Sequence, residues 1–548
     1  MIAISLGSAR FEIIDNPAAL NVFHSDRQST PVVGPPPKNQ TSKDIEIRFH
    51  QCAMEFDFKH RELADIIDVY KQVMFGKNYA KECPAGSELN LIHYMGNGKK
   101  LIDVKIDYKA VSRQMSPTKF QNVHEKYSIL VEENGRVVIE ADYYPGIVRA
   151  LDTLSQLIER NEDQGNNKEY RIKYTPILIK DEPDYAYRGL MLDTSKEYFN
   201  VGDIKLLLDG MMISRLNVFH WHFMDSDSMA MKLNSFPGIT NNTAFRSSEV
   251  YTSDNVKEIT LYAKIRGIKV IPEIQTPANV NVLGNHKPLK DLVRCYSDPS
   301  MVSRKNSYPS EAVLDIGNTR SVDFVDKVIK DVLEMFEPEI LHLGGDKPNI
   351  GCLNHISDPV ESLRKYIEKE REILKKYSSD TRAMYWFEDG SFRYNPTDIL
   401  HYKGNSRQFE YTISSHRENY YVFSPSDIMV VHHGYPDNAG THRNTGRTES
   451  WKRYWDFNPA SYNKNGKMLG SEVLVWTEMM NEFEFLPKTF PRAGIVSFKH
   501  WNSTPSISSG AVIETIMRLQ YRLKSFGIPT EKISMRYCEE HTHHCFGP

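Results

Sequence analysis

The stretch "VDFVDKVIKDVLEMFEPEILHLGGDK", residues 322–347, holds side by side the two periodicities that decide the fold. Over Val322–Phe336 the apolar residues recur at three- and four-residue spacing, the pattern of an amphipathic helix with one face toward a core. "ILHLGG" (340–345) is instead a short apolar run closed by glycines, which reads as a buried strand opening into a turn. The same alternation extends in both directions. Upstream stand "YRGLMLDT" (187–194), "NVFHWHF" (217–223) and "IKVIPEI" (268–274); downstream stand "RAMYWF" (382–387), "DILHYK" (398–403), "IMVVHH" (428–433) and "SEVLVW" (471–476). A second amphipathic helix, "ESLRKYIEKEREILKKY" (361–377), follows the fourth run; its charged side reads as a solvated face. Eight such units predict an α/β fold, a (β/α)8 barrel, whose chemistry lies at the C-terminal ends of the strands.

Residues 1–180 carry a different pattern and predict a small α+β domain, with the barrel and a C-terminal extension over 181–548. "HRELADIIDVYKQVMF" (60–75) and "YPGIVRALDTLSQLIER" (144–160) have helical spacing. "LIDVKIDYK" (101–109) and "YSILVEENGRVVIEAD" (127–142) read as strands, the latter folded at an Asn134-Gly135 hairpin turn. "STPVVGPPPKNQTSK" (29–43) reads as an exposed loop, and "YTPILIKDEPDYAY" (174–187) as the connector between domains. There is no fixed-period repeat.

Lys+Arg at 68 against Asp+Glu at 71 leave a net charge of -3 over 548 residues, which points away from nucleic acid or an anionic membrane surface. No apolar run is long enough to span a bilayer. The six cysteines allow three disulfides, in 15 connectivities on paper, and fall as local pairs: Cys52 with Cys83, Cys295 with Cys352, Cys538 with Cys545. Sequons stand at Asn39, Asn241 and Asn502. Together they predict an oxidising location, lumenal (lysosome or another vesicle) or secreted. The opening "MIAISLGSAR" has neither a basic start nor a long apolar core, so no signal peptide is clearly visible, and the cysteines carry the compartment reading. No C-x-x-C pair occurs, and the tail His541–Cys545 reads as a disulfided, solvent-facing end, so no metal or organic cofactor is expected.

The ends of the expected strands bring together Arg188, Asp225, Gln275, Asn279, Asp346, Lys347, Trp386, Tyr435, Asp437, Trp476 and Glu478. Aromatic faces pack on the apolar C–H face of a sugar ring, while carboxylates and a guanidinium bind its hydroxyls.

His342–Lys347, "HLGGDK", resembles the H-x-G-G-D-E signature of glycoside hydrolase family 20, the β-N-acetylhexosaminidases. Further blocks, including "RLNVFHWHFMDSDS", "IPEIQTPANV", "CYSDPS" and "FPRAGIVSFKHWN", make the chain most similar to the lysosomal-type α and β subunits. The resemblance implies substrate-assisted cleavage of terminal N-acetylhexosamines from glycans, a Cys295–Cys352 disulfide, and a homo- or heterodimer with a related subunit. By position it implies that Arg188 and Glu478 grip the ring hydroxyls. Trp386 and Trp476 would wall the acetamido pocket and ring face. Asp346 and Tyr435 would orient the acetamido group, Asp437 stands where the family has Asn, and Asp225 matches an acidic residue beside the acid's histidine partner.

The departures gather on proton transfer. The general acid is Lys347, "D-T-P-G-H" reads Gln275–Asn279, and Ser226 and Gly434 replace a second Asp and a platform Trp. An ammonium is a weak acid near neutral pH and repels the positive charge that develops on the sugar. A Lys347–Asp346 ion pair would in addition occupy the Asp meant for the acetamido group. The expectation is therefore a catalytically impaired or inactive homologue that binds sugar, partners another subunit or serves structurally. The alternative is an active exo-enzyme that has recruited another acid, such as Asp225 or Asp227.

Overall fold

The computed structural model describes residues 33–83, 102–108, 124–160, 169–296, 312–388, 393–431, 451–504 and 509–540. The chain forms two units, the division falling after Glu182. In the first, a seven-stranded sheet is ordered β1-β7-β4-β5-β3-β2, with β6 beside β7. Its strands are β1 (Asn39–His50), β2 (Met54–Asp57), β3 (Ile102–Tyr108), β4 (Tyr127–Val131), β5 (Arg136–Ala141), β6 (Ile158–Arg160) and β7 (Glu169–Asp181). The Asn134-Gly135 turn joins β4 to β5 as the sequence predicts: Gly135 takes φ 93°, and Asn134 Oδ1 accepts the Arg136 N–H at 2.9 Å. Helices Ala64–Phe75 and Tyr144–Leu157 bury their apolar stripes in this unit.

Two local expectations need correction here. Asn39–Lys43 is not loop but the exposed start of β1, paired antiparallel with β7. Tyr174–Asp181 is not connector but the second half of β7, whose alternating burial pairs it with β4. The helices Ser509–Ser525 and Arg536–Glu540, counted with the barrel in the sequence reading, group with this first unit. There the Arg522 guanidinium is ion-paired with the buried Asp152.

The second unit is a closed barrel of eight parallel strands. These are β8 (Tyr187–Asp193), β9 (Val218–His222), β10 (Lys269–Glu273), β13 (Ile340–His342), β14 (Arg382–Phe387), β15 (Ile399–Tyr402), β16 (Tyr420–Phe423) and β17 (Met468–Val475). β11 (Val293–Arg294) and β12 (Val313–Leu314) form a separate small ribbon. Each barrel strand contributes one residue to an apolar layer: Tyr187, Val218, Ile271, Ile340, Met384, Ile399, Val422 and Leu469. Because side chains alternate along a strand, the inward position two residues on forms the next layer. That layer is polar: His220, Glu273, His342, Trp386 and His401, with Glu472 of β17, all buried.

The seventh strand differs from expectation. "IMVVHH" was the predicted run, whereas Tyr420–Phe423 pairs with β15 and β17. Val430 makes only an isolated bridge to Leu474. Both runs are short and apolar, and periodicity alone could not choose between them. Among the described residues no helix is long and apolar enough to cross a membrane.

Candidate active site

The polar layer is built around two buried carboxylates. Glu273 Oε2 lies 2.5 Å from His222 Nδ1 and 3.1 Å from His220 Nε2. Its Oε1 accepts the Trp386 indole N–H at 2.6 Å. Glu472 Oε1 pairs with His220 Nδ1 at 2.7 Å, and Glu472 Oε2 accepts the Tyr187 hydroxyl. Gly189 provides the room, since a Cβ there would stand 2.7 Å from Glu472 Oε2. Burial opposes charge on both imidazoles, but the carboxylates outweigh it and push His220 up to about 9 and His222 up to about 10. Burial likewise works against the Glu273 charge, yet the charge of His222 and the hydrogen bonds of His220 and His222 hold that carboxyl well below its usual range. At His342 and His401 burial outweighs the pull of Glu273 and drives both imidazoles well below their usual range. The groups His220, His401, Glu472 and His220, Glu273, His342 have ligand atoms within 4.8 Å of one another. Most of those atoms already serve the ion pairs just described, so the donor set reads as a charge network.

Above this layer the strands end and the mouth begins. Three residues past β8, Lys196 reaches Asp193 Oδ2 at 3.2 Å, Asp225 Oδ2 at 2.8 Å and Glu478 Oε1 at 3.8 Å. Its ammonium stands 4.5 Å from the Trp476 ring centroid. Asp225 also meets His222 Nε2 at 3.1 Å. Burial favours its neutral form, but Lys196 and His222 hold it well below the usual carboxylate range. Burial pushes the Glu478 carboxyl up. Trp386 and Trp476 lie with ring centroids 6.3 Å apart, forming an aromatic wall.

On the opposite side the glycines of "LHLGGDK" place Asp346. Gly344 and Gly345 take φ 67° and 84°, and a Cβ on Gly344 would stand 2.8 Å from Thr276 N. The turn is fixed by Gly345 N–H donating to Thr276 O at 2.8 Å and Trp386 N–H donating to Gly344 O at 2.7 Å. Asp346 Oδ2 then accepts from Gln275 Nε2 at 2.5 Å and from Asn279 Nδ2 at 3.0 Å. Its ammonium partner is Lys403, which follows β15, rather than the Lys347 expected from sequence. The Lys347 side chain is exposed.

Of the residues anticipated, the structure gathers Asp225, Trp386, Trp476 and Glu478 at the mouth, with Asp346 alongside. Arg188 does not join them. It is the second residue of β8, and five residues at ~3.3 Å each separate it from Asp193, about 16 Å along the strand. There it is buried, donating to Arg215 O and Tyr185 O at 2.9 Å with its guanidinium over Trp501, a structural anchor at the far end of the barrel. Tyr435 and Asp437 lie outside the described residues. Lys196 and Lys403 were missed; both sit just past strand ends, the signal used for the others.

The cysteine pairs Cys52–Cys83 and Cys295–Cys352 are disulfides, and Cys538 is disulfide-bonded, Cys545 lying outside the described residues. The sequon residues Asn39 and Asn241 are exposed, and Asn502 is half-buried.

Comparison with known proteins finds a family match over the barrel. The description "Glycosyl hydrolase family 20, catalytic domain" matches residues 185–504. The chain is 25% identical over 514 residues to beta-hexosaminidase 1 of Coccidioides posadasii (strain RMSCC 757 / Silveira), covering 82% of this chain and 84% of that one. It is 25% identical over 451 residues to the beta-hexosaminidase subunit beta of Homo sapiens, covering 78% and 76%. The crystal structure of beta-N-acetylhexosaminidase from Bacteroides fragilis NCTC 9343 superposes with a TM-score of 0.70 at 18% identity, covering 91% of this chain and 97% of that one, a likeness of fold.

Proposed function

This chain belongs to glycosyl hydrolase family 20, and from that premise we propose that it binds terminal N-acetylhexosamine units of glycans while hydrolysing them poorly or not at all. The observation that carries the proposal is the residue after Asp346: an exposed lysine stands where a carboxylic acid would donate a proton to the leaving oxygen. Glycoside cleavage needs a carboxyl kept protonated near working pH, and general acid catalysis contributes about 10²–10⁴-fold. Asp225 is a poor substitute, because Lys196 and His222 keep it ionised. Recruitment of Asp225, one of the two acids named in the alternative reading beside Asp227, therefore meets an electrostatic obstacle.

The binding half of the proposal is supported by the mouth itself. Trp476 offers an apolar face with the buried Trp386 ring behind it, and Glu478, Asp225 and Lys196 offer hydroxyl partners at the same rim. Asp346, Tyr435 and Asp437 are proposed to serve the acetamido side. The disulfides and the exposed sequon asparagines favour a lumenal or secreted glycoprotein. Pairing with a second subunit is proposed on the likeness to relatives named as subunits.

The test is release of chromophore from an aryl β-N-acetylglucosaminide by the wild type and by Lys347→Glu. Wild-type turnover at the level of an ordinary family member would remove the proposal. Little turnover combined with absent N-acetylglucosamine binding in calorimetry would leave a purely structural role.

A further inference from the structure

Lys403 has two carboxylate partners, and they face different ways. Its ammonium is paired with Asp346, whose side chain is nearly buried, and it lies 3.4 Å from Oε1 of Glu388, whose side chain is 42% exposed. It also stands 4.8 Å from the Trp386 ring centroid. Trp386 cannot retreat, being 1% exposed and bonded through its indole N–H to Glu273. Asp346 is equally fixed, with Gln275 and Asn279 both donating to Oδ2. Among Lys403, Trp386 and Asp346, the side chain with room to move is therefore the lysine, a flexible four-carbon chain ending in a point charge. In its present position it fills the space between the aromatic face and the carboxylate.

We propose that the Lys403–Asp346 ion pair is a latch over the acetamido end of the sugar pocket, opened when Lys403 transfers fully to Glu388. The inference rests on the reading of this mouth as an N-acetylhexosamine site. Transfer keeps the ammonium paired throughout, and the Asp346 carboxylate left behind is held by the amide donors Gln275 and Asn279 until the acetamido N–H joins them. It frees Oδ1 of Asp346 to accept an acetamido N–H and bares the Trp386 ring to the acetyl methyl. Glu388 serves as the parking place, and its exposure means that it pays no burial cost for the shared charge. A site open only part of the time binds with its affinity reduced by the open fraction. Specificity follows as well, since a ligand without an acetamido group gains nothing from opening the latch.

Calorimetry of N-acetylglucosamine binding to the full chain separates the outcomes. If the closed latch is favoured about tenfold, Lys403→Met should bind about tenfold tighter than wild type. Glu388→Gln, a change at an exposed residue, should bind more weakly than wild type because the lysine loses its alternative partner. Unchanged or weaker binding by Lys403→Met, or wild-type affinity in Glu388→Gln, would overturn the latch while leaving the pocket standing. Trp476→Ala separates the two ideas: its loss of binding upholds the pocket, whereas wild-type affinity in that variant removes the pocket and the latch with it.

Discussion

Replacing Glu273 by Gln should unbalance the buried layer beneath the mouth, and the size of the effect follows from its contacts. The carboxylate meets His222 at 2.5 Å and His220 at 3.1 Å, and accepts from Trp386 at 2.6 Å, all fully buried. Removing one member of a buried ion pair costs about 3–5 kcal/mol, because the partner charge is left without compensation. The pH dependence has a definite sign. His220 and His222 are raised to about 9 and about 10 against burial by their carboxylates. The stability they contribute is complete below the ~6.5 of a free imidazole and is lost as pH climbs through those values. Glu273, depressed by the same pairing, contributes stability above its usual 4.5 that is lost as acid protonates it. Urea unfolding of wild type and Glu273→Gln at pH 6 and pH 10 tests this. The gap between the two proteins should be about 3–5 kcal/mol at pH 6 and clearly smaller at pH 10. A gap below about 1 kcal/mol at pH 6, or an equal gap at both pH values, would refute the charge-network reading.

Other consequences are open to simple measurements. Glu370, on the helix Pro359–Tyr377, accepts the Thr276 hydroxyl at 2.5 Å, and burial pushes its carboxyl up to about 8. An unfolded chain ionises this group near 4.5 while the folded chain keeps it neutral, so wild-type stability should fall between pH 4.5 and 8. Glu370→Gln should match wild type at pH 4 and exceed it at pH 7 by up to about 3 kcal/mol in chemical denaturation; equal stabilities at pH 7 would count against a buried neutral acid. Asn200 caps the helix Val201–Ile213, accepting from Gly202 and Asp203 N–H at 2.8 and 3.1 Å. Asn200→Ala should cost about 1 kcal/mol, and an unchanged unfolding midpoint would contradict the cap.

The barrel was legible because seven of its eight strands coincide with apolar runs bounded by turns, each followed by a helix or loop. The misplaced strand shows the limit: Tyr420–Phe423 and Ile428–Val431 have the same character, and only pairing with β15 distinguishes them. β7 escaped the sequence pattern for a related reason, since Tyr174–Asp181 with its Thr175-Pro176 pair reads as connector yet is the second half of a thirteen-residue strand. At the site, the glycine pair before Asp346 could be read because two adjacent positive-φ residues leave a mark in composition. Arg188 could not be placed, because sequence says that it lies on a strand but not which end of the barrel its guanidinium serves. Lys196 and Lys403 carry the same strand-end signal as the others, but a lysine after a strand is ordinary until its carboxylate partners, 29 and 57 residues away in sequence, are brought beside it.

The central claim, a sugar pocket without an effective proton donor, is tested most directly by incubating the purified, unmodified chain with a β-linked N-acetylglucosamine disaccharide and following its mass over hours. The account predicts a disaccharide that stays intact in the presence of excess protein, with monosaccharide appearing only after Lys347→Glu restores a carboxyl at that position. Steady accumulation of free N-acetylglucosamine from the unmodified chain, at a rate that Lys347→Glu does not raise, would contradict it.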